Sequence, residues 1–174
     1  FAFQANLADY GAGVGASPSL QELFKREISA SSRMLKRAFD AGVPLLCGTE
    51  SGFSITPYGD WHYRELEVFV ESIGLTSLEA IKAATSDNAF ALRLEGKTGA
   101  IEAGRLADII VVDGDPVADV TVLGELDRIK QVYIGGVPQS TDPVLPSRKD
   151  PPGWRVSHYG NRILNYDFVQ NEKK

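Results

Sequence analysis

Between residues 17 and 42, apolar and small side chains recur at the spacing of one face of an α-helix. They follow one another at steps of four and three positions: Phe24, Ile28, Ser31, Leu35 and Ala38. The helix is predicted to begin at residues 17–19, because Ser19 and Glu22 have the spacing of a capping box. Gly42 predicts its end. Residues 1–16 are rich in alanine and glycine and predict a loop.

A short apolar run at positions 45–47 follows this helix and ends in a turn of small residues that carries one carboxylate, Glu50. A run of this length after an amphipathic helix predicts a buried parallel strand. Because open α/β sheets and α/β barrels both place their chemistry at the carboxyl ends of strands, Glu50 is a candidate catalytic residue. Gly48 and Gly52 would let the backbone turn tightly on both sides of it. The alternative is an acidic surface turn.

Two more helices are predicted after this turn. The first has an apolar stripe that should be buried: Leu66, Phe69, Val70 and Ile73. Asp60 could cap its beginning, and Gly74 would end it. The second opens at a capping box formed by Thr76 and Glu79, and a further helical turn is predicted to begin at Asn88.

From Gly96 onward the pattern changes to short β-type runs separated by glycine, proline and aspartate. Strands are predicted at 107–112, 120–123 and 129–134, with a turn at 113–116 and a hairpin turn at Gly135 and Gly136. We therefore predict an α/β segment over residues 1–95 and a small β module over residues 96–138. Residues 139–174 are predicted to be a proline-rich linker and tail.

The composition is that of an ordinary globular protein, with 174 residues, 43% hydrophobic and 24% charged. The formal net charge is −5, and no run of lysine and arginine supports nucleic-acid binding. No apolar stretch approaches the ~20 residues of a membrane span. The single cysteine excludes an internal disulfide framework and favours a cytoplasmic location. Because the first residue is Phe1 rather than methionine, we expect a fragment or a processed chain.

Three stretches carry a resemblance to a known family. Residues 41–52, AGVPLLCGTESG, resemble an eighth barrel strand that usually reads AGV…GTDSG. Residues 75–89, LTSLEAIKAATSDNA, resemble the helix pair LTPLEAIRAAT-NAA, and residues 99–116, GAIEAGRLADIIVVDGDP, resemble the signature G-IEPGKLADLVVLDGDP. Over about residues 20–138 the chain thus resembles the C-terminal part of a metal-dependent amidohydrolase of the imidazolonepropionase-like branch.

The resemblance implies an α/β fold, with the C-terminal part of a metal-dependent TIM-type (β/α)8 barrel followed by a small all-β sandwich module. The barrel would be incomplete in this chain, since one strand cannot close it. In that fold the 107–113 stretch packs the sandwich. Asp108, Asp113 and Asp115 are therefore expected to be structural residues rather than catalytic ones.

The resemblance also implies that Glu50 contacts the metal or its water and shuttles a proton to the leaving nitrogen. The family has aspartate there, and the side chain of glutamate reaches about 1 Å further. A misplacement of that size can cost about a hundredfold in rate. We therefore expect an adjusted site, another role for Glu50, or an altered position.

His62, twelve residues after Glu50, matches a histidine that lines the substrate pocket in a related branch. The alternative is a packing residue at the start of a helix. Arg64 is expected to form a surface pair with Glu67 or Glu71, although it could instead neutralise a substrate carboxylate. Cys47 is expected in the core, and His158 has no identifiable partner.

The family's metal ligands are an His-x-His pair, usually a carboxylated lysine, and two further histidines, whereas this chain has only His62 and His158. We expect one or two divalent ions, typically zinc, in the complete enzyme and none in the isolated chain, which should be inactive. The partners would be a small-molecule substrate and the remainder of the barrel or another copy of the chain.

The implied reaction is hydrolysis of a C–N bond in a cyclic amide or an acylated amino acid through metal-activated water. The alternative is a non-catalytic structural or interaction domain that retains the last third of the fold.

Overall fold

In the computed structural model, which describes residues 1–52, 55–56 and 61–141, a helical region precedes a small antiparallel sheet. The α-helices are α1 (Ala2–Tyr10), α2 (Pro18–Asp40), α3 (His62–Val68), α4 (Ser77–Lys82) and α5 (Asn88–Ala91). The strands are β1 (Ile109–Val112), β2 (Ile129–Ile134) and β3 (Val137–Gln139). Short 3-10 turns cover Gly11–Val14, Val120–Gly124 and Leu126–Arg128, and π turns cover Phe69–Ile73 and Ala83–Asp87.

The loop predicted over residues 1–16 is wrong, because its first part forms α1. Alanine has the highest helix propensity, and Ala2, Ala5 and Ala8 recur every third position and are buried. The glycines that suggested a loop begin only at Gly11, where α1 ends. The alanine spacing therefore decides the structure of this segment.

The second helix begins within the predicted range, but its cap, Ser17, lies two residues before the predicted cap, Ser19. The hydroxyl of Ser17 accepts a hydrogen bond from the Leu20 N–H at 3.2 Å, and Pro18 occupies the first helical position. Ser19 therefore lies inside the helix, and its predicted capping box with a later glutamate is wrong. Gly42, at φ 87°, ends the helix as predicted.

Of the predicted stripe on the next helical region, Leu66, Phe69 and Ile73 are buried and Val70 is half-buried, and all four pack in the larger core cluster. Its buried members are Leu45, Leu66, Phe69, Ile73, Leu75, Ala80, Ala83 and Val120. The predicted capping box is confirmed: Glu79 N–H donates to Thr76 Oγ1 at 3.3 Å, and Thr76 N–H donates to Glu79 Oε2 at 2.8 Å. The α3 helix begins after Trp61, and the proposed cap, Asp60, lies outside the described residues.

The apolar run at 45–47 does not form the predicted strand. A strand needs a neighbour for its backbone N–H and C=O groups, and the sheet of the described residues contains only β1, β2 and β3. Leu45 is buried in the core, but Leu46 is 50% exposed instead of being covered on both faces. The segment is instead held by the side chain of Asn88, which pairs with the backbone of Cys47.

The β module is a three-stranded antiparallel sheet in the order β1-β2-β3. The predicted hairpin is confirmed: Ile134 pairs with Val137 across Gly135 and Gly136, whose φ angles are 56° and 81°. Positive φ at both central residues is what a type I′ turn requires. Two adjacent glycines therefore determine this turn.

The strand predicted at 120–123 is wrong, because Val120–Gly124 form a 3-10 turn. Asp119 caps this turn by accepting the Thr121 N–H at 2.9 Å, which favours a helical start over an extended one. Val120 and Val122 are nevertheless buried, so the apolar pattern identified core residues but not their backbone conformation.

Cys47 packs against the core cluster, as predicted for a small core residue. Burial raises the pKa of its thiol to about 12, and the nearby negative charge of Glu65 adds to the rise. A buried thiol with a raised pKa has little thiolate near neutral pH, so Cys47 is poorly suited to nucleophilic attack.

We predict that iodoacetamide alkylates Cys47 about a thousandfold more slowly at pH 8 than a thiol of ordinary pKa. The reason is that the thiolate fraction falls tenfold for each unit by which the pKa rises. Mass spectrometry of quenched samples gives the rate, and the chain in urea provides the unfolded control. Equal rates in the folded and unfolded chain would contradict the burial.

We predict that Gly124→Ala destabilises the chain by about 1–3 kcal/mol through overpacking. A Cβ at this position would lie 2.5 Å from the ring of Tyr63, and that ring is stacked on the buried Trp61 and cannot easily move. Urea denaturation measures the change. Gly48→Ala is the matched control, because no atom of the described residues beyond its chain neighbours lies within 4 Å of its added Cβ. Equal stabilities of the two variants would refute the prediction.

Candidate functional site

Thr49 joins the 45–52 segment to the beginning of α3. Its Oγ1 lies 3.3 Å from His62 Nδ1 and 2.7 Å from Ser51 Oγ. Thr49 is buried, whereas Glu50 and His62 are exposed. The contact brings His62 to Thr49, the residue that directly precedes Glu50 in the chain.

Glu50 has a left-handed backbone conformation, with φ 51°. This conformation is uncommon for a residue with a side chain and costs about 1–3 kcal/mol, so the surrounding structure must impose it. Of the two glycines predicted to permit the turn, Gly52 has a positive φ, 129°, and Gly48 does not. The strained backbone conformation in this turn is therefore that of Glu50, the residue that bears the carboxylate.

His62 is the first residue of α3, and its ring is exposed apart from the contact with Thr49. An exposed ring is compatible with a substrate contact, and the Thr49 contact is compatible with a packing role. The pocket-lining role of His62 stays a prediction. The second predicted histidine, His158, lies outside the described residues.

Glu65, three residues after His62 on α3, is a buried carboxylate that is 1% exposed. Its Oε1 accepts the Ala2 N–H and the Phe1 amino group, each at 2.7 Å. Glu65 therefore binds the start of α1 to α3, the helix that carries His62. The contact spans more than 60 residues of sequence, so no local pattern indicates it.

Arg64 is buried, which corrects the expected surface location. Its guanidinium donates to Glu67 at 2.6 Å, as predicted, to Asp9 at 2.6 Å and to Glu71 at 3.5 Å. Burial works to lower the pKa of Arg64, but the hydrogen bond to Glu67 and the negative charges around it raise that pKa overall. With three carboxylate partners, this guanidinium is not available to neutralise a substrate carboxylate.

Asp108 holds the β2–β3 turn. Its carboxylate accepts the Gly135 N–H at 2.8 Å and the Thr98 hydroxyl at 2.9 Å, and these bonds lower the pKa of Asp108. In the turn after β1, Asp115 Oδ1 accepts the Val117 N–H at 3.0 Å. Both contacts are of the structural kind that the sequence predicted for these aspartates.

The described residues bring together no group of three or more His, Cys, Asp or Glu side chains that could hold a metal ion. A zinc site needs at least three protein ligands, so this part of the chain does not fit a zinc ion by itself. Glu50 could contribute one oxygen ligand to a site completed by other residues.

The same part of the chain contains no helix that is both long enough and apolar enough to cross a bilayer.

The sequence matches the amidohydrolase family model over residues 12–138. Ochratoxinase of Aspergillus niger is 35% identical over 100 residues, which are 57% of this chain and 20% of ochratoxinase. The chain therefore spans about a fifth of the length of the curated relatives it matches.

Solved structures resemble the chain at a similar level. A putative prolidase from Bifidobacterium longum has a TM-score of 0.64 and 29% identity, covering 79% of this chain and 33% of its own. For A. niger ochratoxinase the TM-score is 0.62 and the identity 27%, with 79% of this chain and 30% of the other covered. A prolidase complexed with N-methylphosphonate-L-proline has a TM-score of 0.60 and 26% identity, with 78% and 32% covered.

The three sequence motifs lie between residues 41 and 116. They fall within the 12–138 range matched by the family model, so the two assignments agree. The similar solved structures support the α/β fold class. The chain belongs to the amidohydrolase family.

Proposed function

We propose that this chain supplies the C-terminal part of an enzyme that hydrolyses a C–N bond, with Glu50 as its acid–base carboxylate. The observation that carries the proposal is the left-handed, exposed Glu50 next to Thr49, whose hydroxyl contacts His62. Strained backbone of this kind is concentrated at functional sites. The family and its hydrolase relatives support the reaction type.

Hydrolysis of a C–N bond needs a group that first accepts a proton and later donates it. Hydrolysis adds the oxygen of water to the carbonyl carbon and a proton to the leaving nitrogen as the C–N bond breaks. A carboxylate at Glu50 would accept the proton from the attacking water and then donate it to the nitrogen. The exposed position of Glu50 leaves it accessible to both reactants.

Of the two substrate classes left open by the sequence, we favour the amide of an acylated amino acid or dipeptide over a cyclic amide. The similar structures include prolidases and a Xaa-Pro dipeptidase with bound methionine in its active site. We propose that the exposed His62 contacts such a substrate. The finer assignment to the imidazolonepropionase-like branch stays a prediction, as do the division of the chain near residues 95 and 138 and the cytoplasmic location.

Amidohydrolases usually bind a divalent metal. We propose one or two such ions, zinc being the first candidate, with Glu50 as one ligand and the others from the remainder of the barrel. A bound ion would lower the pKa of the attacking water and polarise the carbonyl.

A second candidate function is a non-catalytic interaction domain. The observation in its favour is an apolar face of the sheet, because Ile110, Ile134 and Val137 lie on one side and are each more than half exposed. The remainder of the barrel, or another copy of the chain, would cover this face in either case. Turnover therefore separates the two candidates, and burial of this face does not.

In the complete enzyme that contains this chain, we predict that Glu50→Gln lowers kcat by about 10²–10⁴-fold. The substitution keeps the volume of the side chain but removes the proton acceptor. Initial rates on a panel of N-acyl amino acids and Xaa-Pro dipeptides give kcat, and circular dichroism checks the fold. Glu27→Gln, an exposed carboxylate on α2, is the matched control and should turn over normally. Normal turnover by Glu50→Gln would remove Glu50 from the mechanism.

We predict that His62→Ala raises KM about tenfold and leaves kcat nearly unchanged, because one hydrogen bond of about 1–1.5 kcal/mol to the bound substrate is lost. Steady-state kinetics on the same substrate panel measures both constants. A packing role predicts a different result, namely a lower Tm with a wild-type KM.

A further inference from the structure

We propose that Asn88 is a positioning residue for Glu50, because its carboxamide pairs with both backbone polar groups of Cys47 and so holds the segment that ends in Glu50. The inference rests on the proposed function of Glu50.

The geometry of the pairing is specific to an amide. Asn88 Oδ1 accepts the Cys47 N–H at 3.2 Å, and Asn88 Nδ2 donates to the Cys47 carbonyl at 2.8 Å. A carboxamide offers one acceptor and a donor group side by side, which matches the N–H and C=O of a single extended residue. An ionised carboxylate could accept but not donate, and an alkyl group could do neither.

The backbone of the segment depends on Asn88 because its backbone–backbone hydrogen bonds to described residues lie at its two ends. On one side, the Val43 N–H donates to the Ala38 carbonyl at 3.0 Å; on the other, the Gly52 N–H donates to the Thr56 carbonyl at 2.9 Å. Between these ends, the hydrogen bonds that join its backbone to described residues are those of Asn88.

Asn88 lies on a helical stretch that can hold its side chain in one position. It is half-buried and lies where the Ala83–Asp87 turn passes into α5, in a continuous helical stretch that opens at the Thr76–Glu79 capping box. Side chains on helices are held more precisely than side chains on loops. The packing of this helical stretch therefore fixes the position of Asn88, and the hydrogen bonds of Asn88 in turn fix the backbone of Cys47.

The consequence for Glu50 follows from its short distance along the chain. Glu50 lies three residues after Cys47 and adopts a left-handed conformation that the surrounding structure must impose. If Cys47 were released, this strain could relax and the carboxylate would shift. A displacement of about 1 Å at a reacting group can cost about a hundredfold in rate.

The test uses three variants. Asn88→Ala removes both hydrogen bonds, and Asn88→Asp keeps an acceptor for the Cys47 N–H but no donor for its carbonyl. Ala91→Gly is the matched control, because it weakens α5 through helix propensity at an exposed position and leaves the Asn88 side chain intact. Each variant is made in this chain and in the complete enzyme.

The first readout is the alkylation rate of Cys47 by iodoacetamide in the isolated chain without denaturant, compared with the stability from urea denaturation. We expect the alkylation rate of Asn88→Ala to exceed, by at least tenfold, the rate increase that its lower free energy of unfolding would produce. Asn88→Asp should exceed the corresponding increase by a smaller factor. Ala91→Gly should change the rate only as far as its stability changes. If Asn88→Ala behaves like Ala91→Gly, Asn88 is a general stabiliser and the inference is wrong.

The second readout is the split between kcat and KM in the complete enzyme, per folded molecule. We expect Asn88→Ala to lower kcat about a hundredfold, Asn88→Asp to lower it less, and Ala91→Gly to leave it unchanged. A wild-type kcat in Asn88→Ala, alongside an inactive Glu50→Gln, would overturn the positioning role and leave the proposed function standing. An active Glu50→Gln would instead remove the proposed function, and the positioning role with it.

Discussion

Every buried backbone N–H and C=O group needs a hydrogen-bond partner, and this requirement shapes the part of the chain that carries the candidate site. The 45–50 segment has the residues of a buried strand but no strand beside it in the described part of the chain. One side chain, that of Asn88, supplies both a donor and an acceptor to Cys47 in place of a neighbour. The apolar contact of Leu45 with the core then anchors the same segment from one side.

A second set of constraints fixes the helix that carries His62. Glu65 accepts the Ala2 N–H at the start of α1, and Arg64 reaches Asp9 near the end of the same helix. Removing one partner of such a buried group leaves the other without compensation, which costs several kcal/mol. These polar contacts therefore define how α1 and α3 meet, in a region where the stacked rings of Tyr10, Trp61 and Tyr63 also pack.

Several large apolar side chains lie exposed on the described part of the chain. Leu46 and several apolar residues on one face of the sheet are half or more exposed, and the solved structures that share the fold are about two and a half times as long. An exposed apolar face of a sheet is usually covered by another element in the working protein.

The sequence alone determined the features that depend on local chemistry. The Thr76–Glu79 capping box, the helix stop at Gly42 and the glycine pair of the β2–β3 turn were predictable, because each is set by residues within a few positions of one another. The long motifs were likewise sufficient to recognise the family.

Only the tertiary structure decided the features that depend on distant partners. Four contacts of this kind join positions between 13 and 63 residues apart. They link Arg64 to Asp9, Glu65 to Ala2, Thr49 to His62 and Asn88 to Cys47. The strained conformation of Glu50 belongs to this group as well, because a left-handed glutamate exists only where packing imposes it. Propensity and periodicity describe near neighbours in the chain, whereas these contacts arise from the packing of whole helices.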